Sequence, residues 1–187
     1  VWTPHRQVAF GRRDRRAEGY DRAREAAADR GYAVLEREVG GRAVAYTGRT
    51  VAFALAEPTA AGREDIADRY DRVSRAVQRA LDAVDVDATG GEPAESFCPG
   101  THSLQADGKL AGIAQRVRQD VALTAGVVVV RDHDAIAAVL APVYEALGVP
   151  FAPDSVGSVA RAGGDPSGVV DAVATELVGA RDNIRDT

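Results

Sequence analysis

Apolar and polar positions along the chain repeat with two different periods, which predict both helices and strands. The clearest helical period runs from Arg63 to Val84, where apolar residues recur at steps of three and four. Three more helices are predicted from weaker periods and from capping residues: residues 14–30 with Asp14 as N-cap, residues 132–147 with Asp132 as N-cap, and residues 166–179.

Strands are predicted where short apolar runs are bounded by glycine or aspartate. They cover residues 7–10, 32–37, 43–46, 50–56, 103–106, 109–117 and 121–130. Thr47 and Gly48, between the third and fourth strands, predict a hairpin turn. Strands and helices do not alternate strictly, which favours an α+β fold with a mixed, mainly antiparallel sheet and flanking helices.

One domain is expected, because 187 residues suffice for a sizeable core within a single unit. Residues 85–100 are rich in glycine, proline and acidic side chains and lack periodicity, so they are predicted to form a long loop. Loops of this length inside a compact domain are often functional.

Composition and charge exclude several classes of protein. No apolar run approaches the roughly 18 residues that span a bilayer, and the arginine-rich opening lacks the order of a signal peptide, so a cytoplasmic protein is expected. The net charge of −5 argues against nucleic acid as a partner. Of 23 basic residues only Lys109 is a lysine, a bias that suggests a GC-rich and possibly halophilic source.

Cysteine and histidine are too sparse for a metal site. Cys98 is the only cysteine, and the histidines His5, His102 and His133 show no ligand spacing. The sequence therefore predicts no disulfide within the chain and no metal, and leaves Cys98 with a role in packing or in reactivity.

Three short segments carry the candidate chemistry. The first, residues 37–44, contains Gly40 and Gly41 between two predicted strands. Paired glycines let a ligand approach the backbone and free amide groups to face an anion, although an ordinary turn has the same composition. The second, residues 107–116, places Lys109 after a turn at the start of an apolar strand. Its ammonium could reach a buried oxyanion, or lie solvated at the strand end.

The third segment, residues 97–102, lies inside the long loop and contains Cys98. An isolated cysteine is often a small buried hydrophobe. Here Pro99 and Gly100 follow it, which favours an extended residue and then a tight turn that presents the side chain. Lys109 could favour the thiolate if the loop folds back, and His102 could serve as a base.

Taken together, these segments resemble the family of lipoate-protein ligases, octanoyltransferases and, more distantly, biotin-protein ligases. The resemblance begins at residues 8–12, an apolar strand that closes in Gly11-Arg12, and continues through residues 37–44, which are similar to an R-x-x-G-G-x-x-V signature. It extends through residues 108–112, which look like the signature G-K-[IVL]-[AS]-G, to a closing strand at residues 127–130. Residues 2–135 match in the right order.

The resemblance implies roles for particular residues. In this family the glycine pair wraps the activated acyl group, and the motif lysine contacts the acyl carbonyl or its adenylate. Carried over, binding of the acyl substrate falls to the residues of the two signatures, and catalysis to Lys109 with Cys98. The substrate-binding residues so implied are Arg37, Gly40, Gly41, Arg42, Val44 and Gly112. An apolar slot for an octanoyl or lipoyl tail is expected along Val44, Val51, Phe53 and Leu55.

The family uses two mechanisms, and Cys98 bears on which one applies. A cysteine in this loop resembles the branch that passes an octanoyl or lipoyl group through a thioester to a lysine of a lipoyl-domain protein. Partners so implied are the glycine cleavage H protein, the E2 subunit of 2-oxoacid dehydrogenases or an acyl carrier, with no cofactor required for transfer. Alternatives are a lipoate-protein ligase that consumes ATP, and a non-catalytic protein that binds the acyl group or the lipoyl domain. Members of the family usually begin with a further strand and helix, which residues 1–187 are expected to lack.

Overall fold

The computed structural model describes residues 1–37, 41–59 and 66–182, and it confirms the α+β fold. Strands in this part of the chain form two sheets, and helices pack against both. The larger sheet has five antiparallel strands in the order β4-β8-β7-β6-β5. Their bounds are β4 Thr50–Pro58, β5 Thr89–Gly90, β6 Ser103–Gln105, β7 Lys109–Val117 and β8 Val121–Val129.

The smaller sheet has three strands in the order β2-β1-β3. They are β1 Gln7–Phe10, β2 Ala33–Glu36 and β3 Val44–Tyr46. Strand β1 pairs in parallel with β2 and antiparallel with β3. Arg37 directly follows β2 and Val44 begins β3, so this sheet places the two ends of the first candidate segment.

The predicted hairpin at Thr47 and Gly48 is wrong. β3 pairs with β1, whereas β4 leaves for the other sheet and pairs with β8 along its whole length. This long apolar ladder is possible because Gly126 has no side chain: a Cβ there would lie 2.3 Å from the ring of Phe53. A turn signal indicates a change of direction, but the partner of each strand is chosen by burial elsewhere in the fold.

Two hydrophobic cores lie on either side of β8. Val128 packs into the core beneath the five-stranded sheet, and Val127 and Val129 pack into the core beside the three-stranded sheet. Successive side chains of a strand point to opposite faces, so a strand buried on both faces needs a continuous apolar run. The run of valines in β8 meets this requirement.

The helices pack in pairs, one pair for each core. α2 (Ile66–Asp82) packs on α4 (Val169–Asp182), and α1 (Tyr20–Ala28) packs on α3 (His133–Ala146). The predicted helix at residues 63–84 is confirmed from residue 66 to residue 82; residues 83 and 84 form a turn, and residues 63–65 lie outside the described part. The last helix begins at Val169, not at residue 166, because Asp165 and Ser167 close a local turn.

The predicted N-cap Asp14 is wrong, whereas the predicted N-cap Asp132 is confirmed in position. Asp14 is fully buried in a single 3-10 turn, where its carboxylate accepts the N–H of Gly11, and α1 begins only after Gly19. Asp132 precedes α3 as predicted, but its carboxylate accepts from Arg49 at 3.0 Å and makes no cap hydrogen bond. At Asp132, the long-range pair with Arg49 replaces the local cap hydrogen bond.

The helices of the described ranges are also informative about membranes. None of them is both long enough and apolar enough to cross a bilayer.

Candidate functional site

Cys98 lies in the loop between β5 and β6 and has an unusual backbone conformation. Its φ angle is +44°, in the left-handed region, which costs a non-glycine residue on the order of 1 kcal/mol or more. The extended conformation expected before Pro99 is therefore wrong. Phe97, 1% exposed, anchors the loop in the core, while Cys98 itself is half-buried.

The sulfur of Cys98 faces two N–H donors. The backbone N–H of Arg42 lies 3.3 Å from Sγ, and the Nη2 group of Arg37 lies 3.4 Å from it. Arg37 also donates to the carbonyl oxygen of Arg42 at 2.5 Å, which fixes the guanidinium beside the loop. Donors arranged in this way suit a sulfur or oxygen that carries negative charge.

Gly41 brings the glycine-containing segment into contact with the sulfur. Its φ is +97°, and a Cβ built on it would lie 2.6 Å from Sγ of Cys98 and 3.1 Å from Nη2 of Arg37. Any larger residue would be strained and would also displace the thiol. Gly40 lies outside the described residues.

The residues that follow β1 pack against the glycine-containing segment. Gly11 packs against the carbonyl of Gly41, where a Cβ on Gly11 would come within 2.0 Å of the oxygen. Asp14 then pairs with the Arg42 guanidinium at 3.2 Å. The Gly-Arg strand end of the family resemblance thus acts as a platform for the glycine loop.

Lys109 starts β7 and is completely buried. Its ammonium donates to the backbone carbonyls of Phe97 and Cys98, each at 2.9 Å, and to both carboxylate oxygens of Glu92, at 2.9 and 3.0 Å. The alternative that the Lys109 ammonium lies in solvent at the strand end is therefore wrong. Lys109 thus holds the cysteine loop through hydrogen bonds to two backbone carbonyls. All the acceptors of its ammonium belong to the protein.

Glu92 is a site residue that the sequence analysis missed. Besides Lys109, its carboxylate accepts from the hydroxyl of Ser96, the hydroxyl of Ser103 at 2.5 Å and the N–H of Gly100 at 3.1 Å. One carboxylate thus ties the loop together on both sides of Cys98. The available signal was indirect: a lysine buried in an apolar strand requires an anion, and the neighbouring loop is acidic.

Tyr144 is the second missed residue. It is fully buried in α3, and its hydroxyl accepts the backbone N–H of Cys98 at 2.5 Å and donates to the carbonyl of Ala43 at 3.0 Å. Burial, with a smaller contribution from the nearby Cys98 side chain, raises the pKa of Tyr144, so its hydroxyl keeps its proton. In the sequence it is one aromatic residue in an apolar helix, with no local sign of this partner.

The remaining residues that the sequence suggested for the site have other contacts. Gly112 packs beside Lys109, with 3.5 Å between a built Cβ and Cε of the lysine. His102, considered as a base, stacks on the ring of Tyr70 at 3.6 Å. The predicted slot is wrong, because Val44 is buried in the core beside the three-stranded sheet whereas Val51, Phe53 and Leu55 contribute to the other core.

The site therefore unites Arg37, Gly41, Arg42, Cys98 and Lys109, which come from three separate segments of the chain. The half-buried thiol is presented beside two N–H donors, and its backbone is held on both sides. This arrangement can accept a group on sulfur and can stabilise negative charge that develops next to it.

Comparison with known proteins identifies the family of this chain. The family model of the lipoyl protein ligase A/B catalytic domain matches residues 1–177, so the chain belongs to this family. By structure, it is similar to the crystal structure of lipoate-protein ligase A bound with ATP, with a TM-score of 0.72 and 20% identity over 95% of this chain and 70% of that one. At that identity the likeness shows the fold.

Two curated relatives are similar in sequence. The chain is 34% identical over 125 residues to the octanoyl-[GcvH]:protein N-octanoyltransferase of Exiguobacterium sibiricum, which covers 65% of this chain and 45% of that protein. It is 30% identical over 116 residues to the protein of the same name from Bacillus velezensis, covering 62% and 40%. The matches thus cover less than half the length of either relative.

Proposed function

We propose that this protein transfers an octanoyl or lipoyl group to a lysine of a lipoyl-domain protein through a thioester on Cys98. The observation that carries the proposal is the sulfur of Cys98, which faces the N–H of Arg42 and the guanidinium of Arg37 at 3.3 and 3.4 Å. Membership of the family and the octanoyltransferase names of both relatives support the same activity.

The proposed reaction has two balanced steps. The Cys98 sulfur attacks the carbonyl carbon of the acyl-lysine amide of a donor protein, the C–N bond breaks, and the thiol proton ends on the departing lysine amine. The neutral lysine amine of the acceptor then attacks the thioester, the C–S bond breaks, and the amine proton returns to sulfur. No ATP is consumed, and each half-reaction has a lower barrier than direct exchange between amides.

Each step passes through an oxyanion beside the sulfur, and the site offers donors for it. We assign this role to the Arg42 N–H and the Arg37 guanidinium, since an oxygen one bond away from the attacked carbon lies within reach of groups that contact Sγ. Gly41 leaves room for the acyl carbonyl, and the family resemblance assigns the same role to Gly40. Lys109 supports the loop and Gly112 packs beside Lys109, which would have to exchange one of its acceptors to touch substrate.

The proposed partners follow from the names of the relatives. Both names specify octanoyl-[GcvH] as donor and a protein as acceptor, which fits lipoyl-domain proteins such as the glycine cleavage H protein and the E2 subunit of 2-oxoacid dehydrogenases. An acyl carrier is an alternative donor: its thioester C–S bond would break instead of an amide C–N bond, and the Cys98 thiol proton would end on the thiol of the carrier. Octanoate or lipoate is the group transferred, and transfer itself needs no further cofactor.

The experiment is incubation with octanoylated H protein in the absence of ATP, followed by intact-protein mass spectrometry. An adduct of octanoyl mass on the wild type, absent from Cys98→Ala, is expected. An ATP-dependent lipoate ligase is the second candidate, favoured by the similarity of the fold to a ligase bound with ATP. Acyl transfer that strictly requires ATP and survives in Cys98→Ala would establish that candidate instead.

We also propose where the protein is located and what kind of organism it comes from. A reactive thiol that must stay reduced suits the cytoplasm. A halophilic source is proposed from the 28 acidic residues and the near replacement of lysine by arginine. Self-repulsion of the acidic chain is screened by salt, so the melting temperature should rise between low salt and molar KCl. Full stability in the absence of salt would contradict it.

A further inference from the structure

The conformation of Cys98 has to be maintained by its surroundings. Its φ of +44° is unfavourable for an L-residue, and the following Pro99 disfavours a helical residue before it. Left to its local preferences, the loop would extend and move the thiol. Contacts from outside the loop must therefore supply the restraint.

Every polar group of Cys98 has such a contact. Lys109 holds its carbonyl at 2.9 Å, Arg37 and Arg42 face its sulfur, and Tyr144 holds its N–H at 2.5 Å. Only the Tyr144 contact comes from a helix, and this side chain is fully buried. Its hydroxyl is therefore held in the core by an element that lies outside the loop.

The direction of the hydrogen bonds is determined at Tyr144. A neutral phenol has one proton, which is donated to the carbonyl of Ala43 at 3.0 Å, so a lone pair of the same oxygen accepts from Cys98. Ala43 directly follows Arg42, whose N–H faces the sulfur. A single oxygen thus sets the spacing between the nucleophile and the segment before β3 that supplies its donor.

We propose that Tyr144 is a positioning residue for the Cys98 nucleophile, holding the Cys98 N–H and the Ala43 carbonyl together so that the thiol stays against the Arg42 N–H. This inference rests on the proposed function of Cys98. It also implies that the N–H of Cys98 is occupied, so that charge on the substrate oxygen is stabilised by Arg42 and Arg37 and not by the amide of the cysteine itself. Tyr144 touches no substrate.

Tyr32 provides a matched control. It is also buried, at 3% exposure in the same core, and its hydroxyl also donates to a backbone carbonyl of α3, that of Ala135 at 3.4 Å. Tyr32→Phe removes a buried hydroxyl from this core, as Tyr144→Phe does, but leaves the contacts of Cys98 intact. A purely structural role of Tyr144 would show as a lower melting temperature, with an acylation rate of the folded protein like that of Tyr32→Phe.

The test measures single-turnover formation of the octanoyl thioester, together with the melting temperature, for wild type, Tyr144→Phe and Tyr32→Phe. Tyr144→Phe should slow acylation about ten-fold, as expected when one neutral hydrogen bond that positions a reacting group is lost, with less than two-fold change in KM for the donor. Tyr32→Phe should acylate within two-fold of wild type at a comparable melting temperature. Equal acylation rates in the two variants would overturn the inference, whereas a wild type that forms no thioester overturns the proposed function instead.

Hydrogen exchange gives a second, independent readout if Tyr144→Phe does not fold. In the wild type, the amide of Cys98 should exchange at least a hundred-fold more slowly than in an unstructured peptide, because it donates to a buried oxygen. Exchange at the rate of an unstructured peptide would show that Tyr144 does not hold this amide, and would overturn the inference without any reference to activity.

Discussion

The ammonium of Lys109 donates to the backbone carbonyl oxygen of Cys98 at a distance of 2.9 Å. The same ammonium is paired with Glu92 and also holds the carbonyl of Phe97. The only lysine of the chain thus joins two parts of the candidate site through the backbone, and it does so from a position with no solvent exposure. A compact ammonium suits this position, because the planar fork of arginine cannot direct its donors to three such acceptors.

Removing this ammonium should be costly. Lys109→Met leaves the Glu92 carboxylate without its cation and two carbonyls without a donor, and breaking a buried ion pair in this way costs about 3–5 kcal/mol in free energy of unfolding. Urea unfolding measures the loss. The control is Arg75→Met on α2, where the exposed pair with Asp71 at 3.9 Å should contribute less than about 0.5 kcal/mol. Similar losses of unfolding free energy in both variants would contradict the role of Lys109 in holding the cysteine loop.

Adding one methyl group at Gly41 should disable the thiol. The Cβ of Gly41→Ala would lie 2.6 Å from Sγ of Cys98, so either the glycine loop or the cysteine must move. Thioester formation should fall at least ten-fold, as measured by mass spectrometry after mixing with octanoylated donor. Gly48→Ala is the matched control, because Gly48 has a similar φ of +86° and no atom within 4 Å of its built Cβ.

Both variants share the backbone strain of alanine at positive φ, roughly 1 kcal/mol. Only Gly41→Ala adds the clash with sulfur. An equal fall in thioester formation for Gly41→Ala and Gly48→Ala would mean that strain, and not the contact with Cys98, explains the effect.

The pairing of β4 with β8 should depend on Gly126. An alanine there would place its Cβ 2.3 Å from the ring of Phe53 and 2.7 Å from the carbonyl oxygen of Gly112. Overpacking of this kind costs about 1–3 kcal/mol, which thermal unfolding would detect. Gly179→Ala, in α4 with open space around the built Cβ, should instead stabilise the protein by about 0.5–1 kcal/mol through helix propensity. An unchanged melting temperature in Gly126→Ala would show that the β4–β8 pairing relaxes around the added methyl group more easily than its packing implies.

Local patterns in the sequence sufficed for most elements and for part of the site. The spacing of apolar residues located α2, and the continuous valines located β8, because burial of a helix face or of a whole strand leaves a repeat within a few residues. The motif order also identified the family, and with it Arg37, Gly41, Arg42, Cys98 and Lys109 as candidate residues.

Tertiary structure alone decided which strands pair and what holds the nucleophile. Cys98 meets Arg42 across 56 positions and Tyr144 across 46, and Lys109 meets Glu92 across 17. No local period records such contacts, since a hydrogen bond between distant residues leaves each neighbourhood free to vary. The left-handed Cys98, the buried Asp14 and the separation of β3 from β4 all arose in this way: interactions between segments outweighed the preference of each segment by itself.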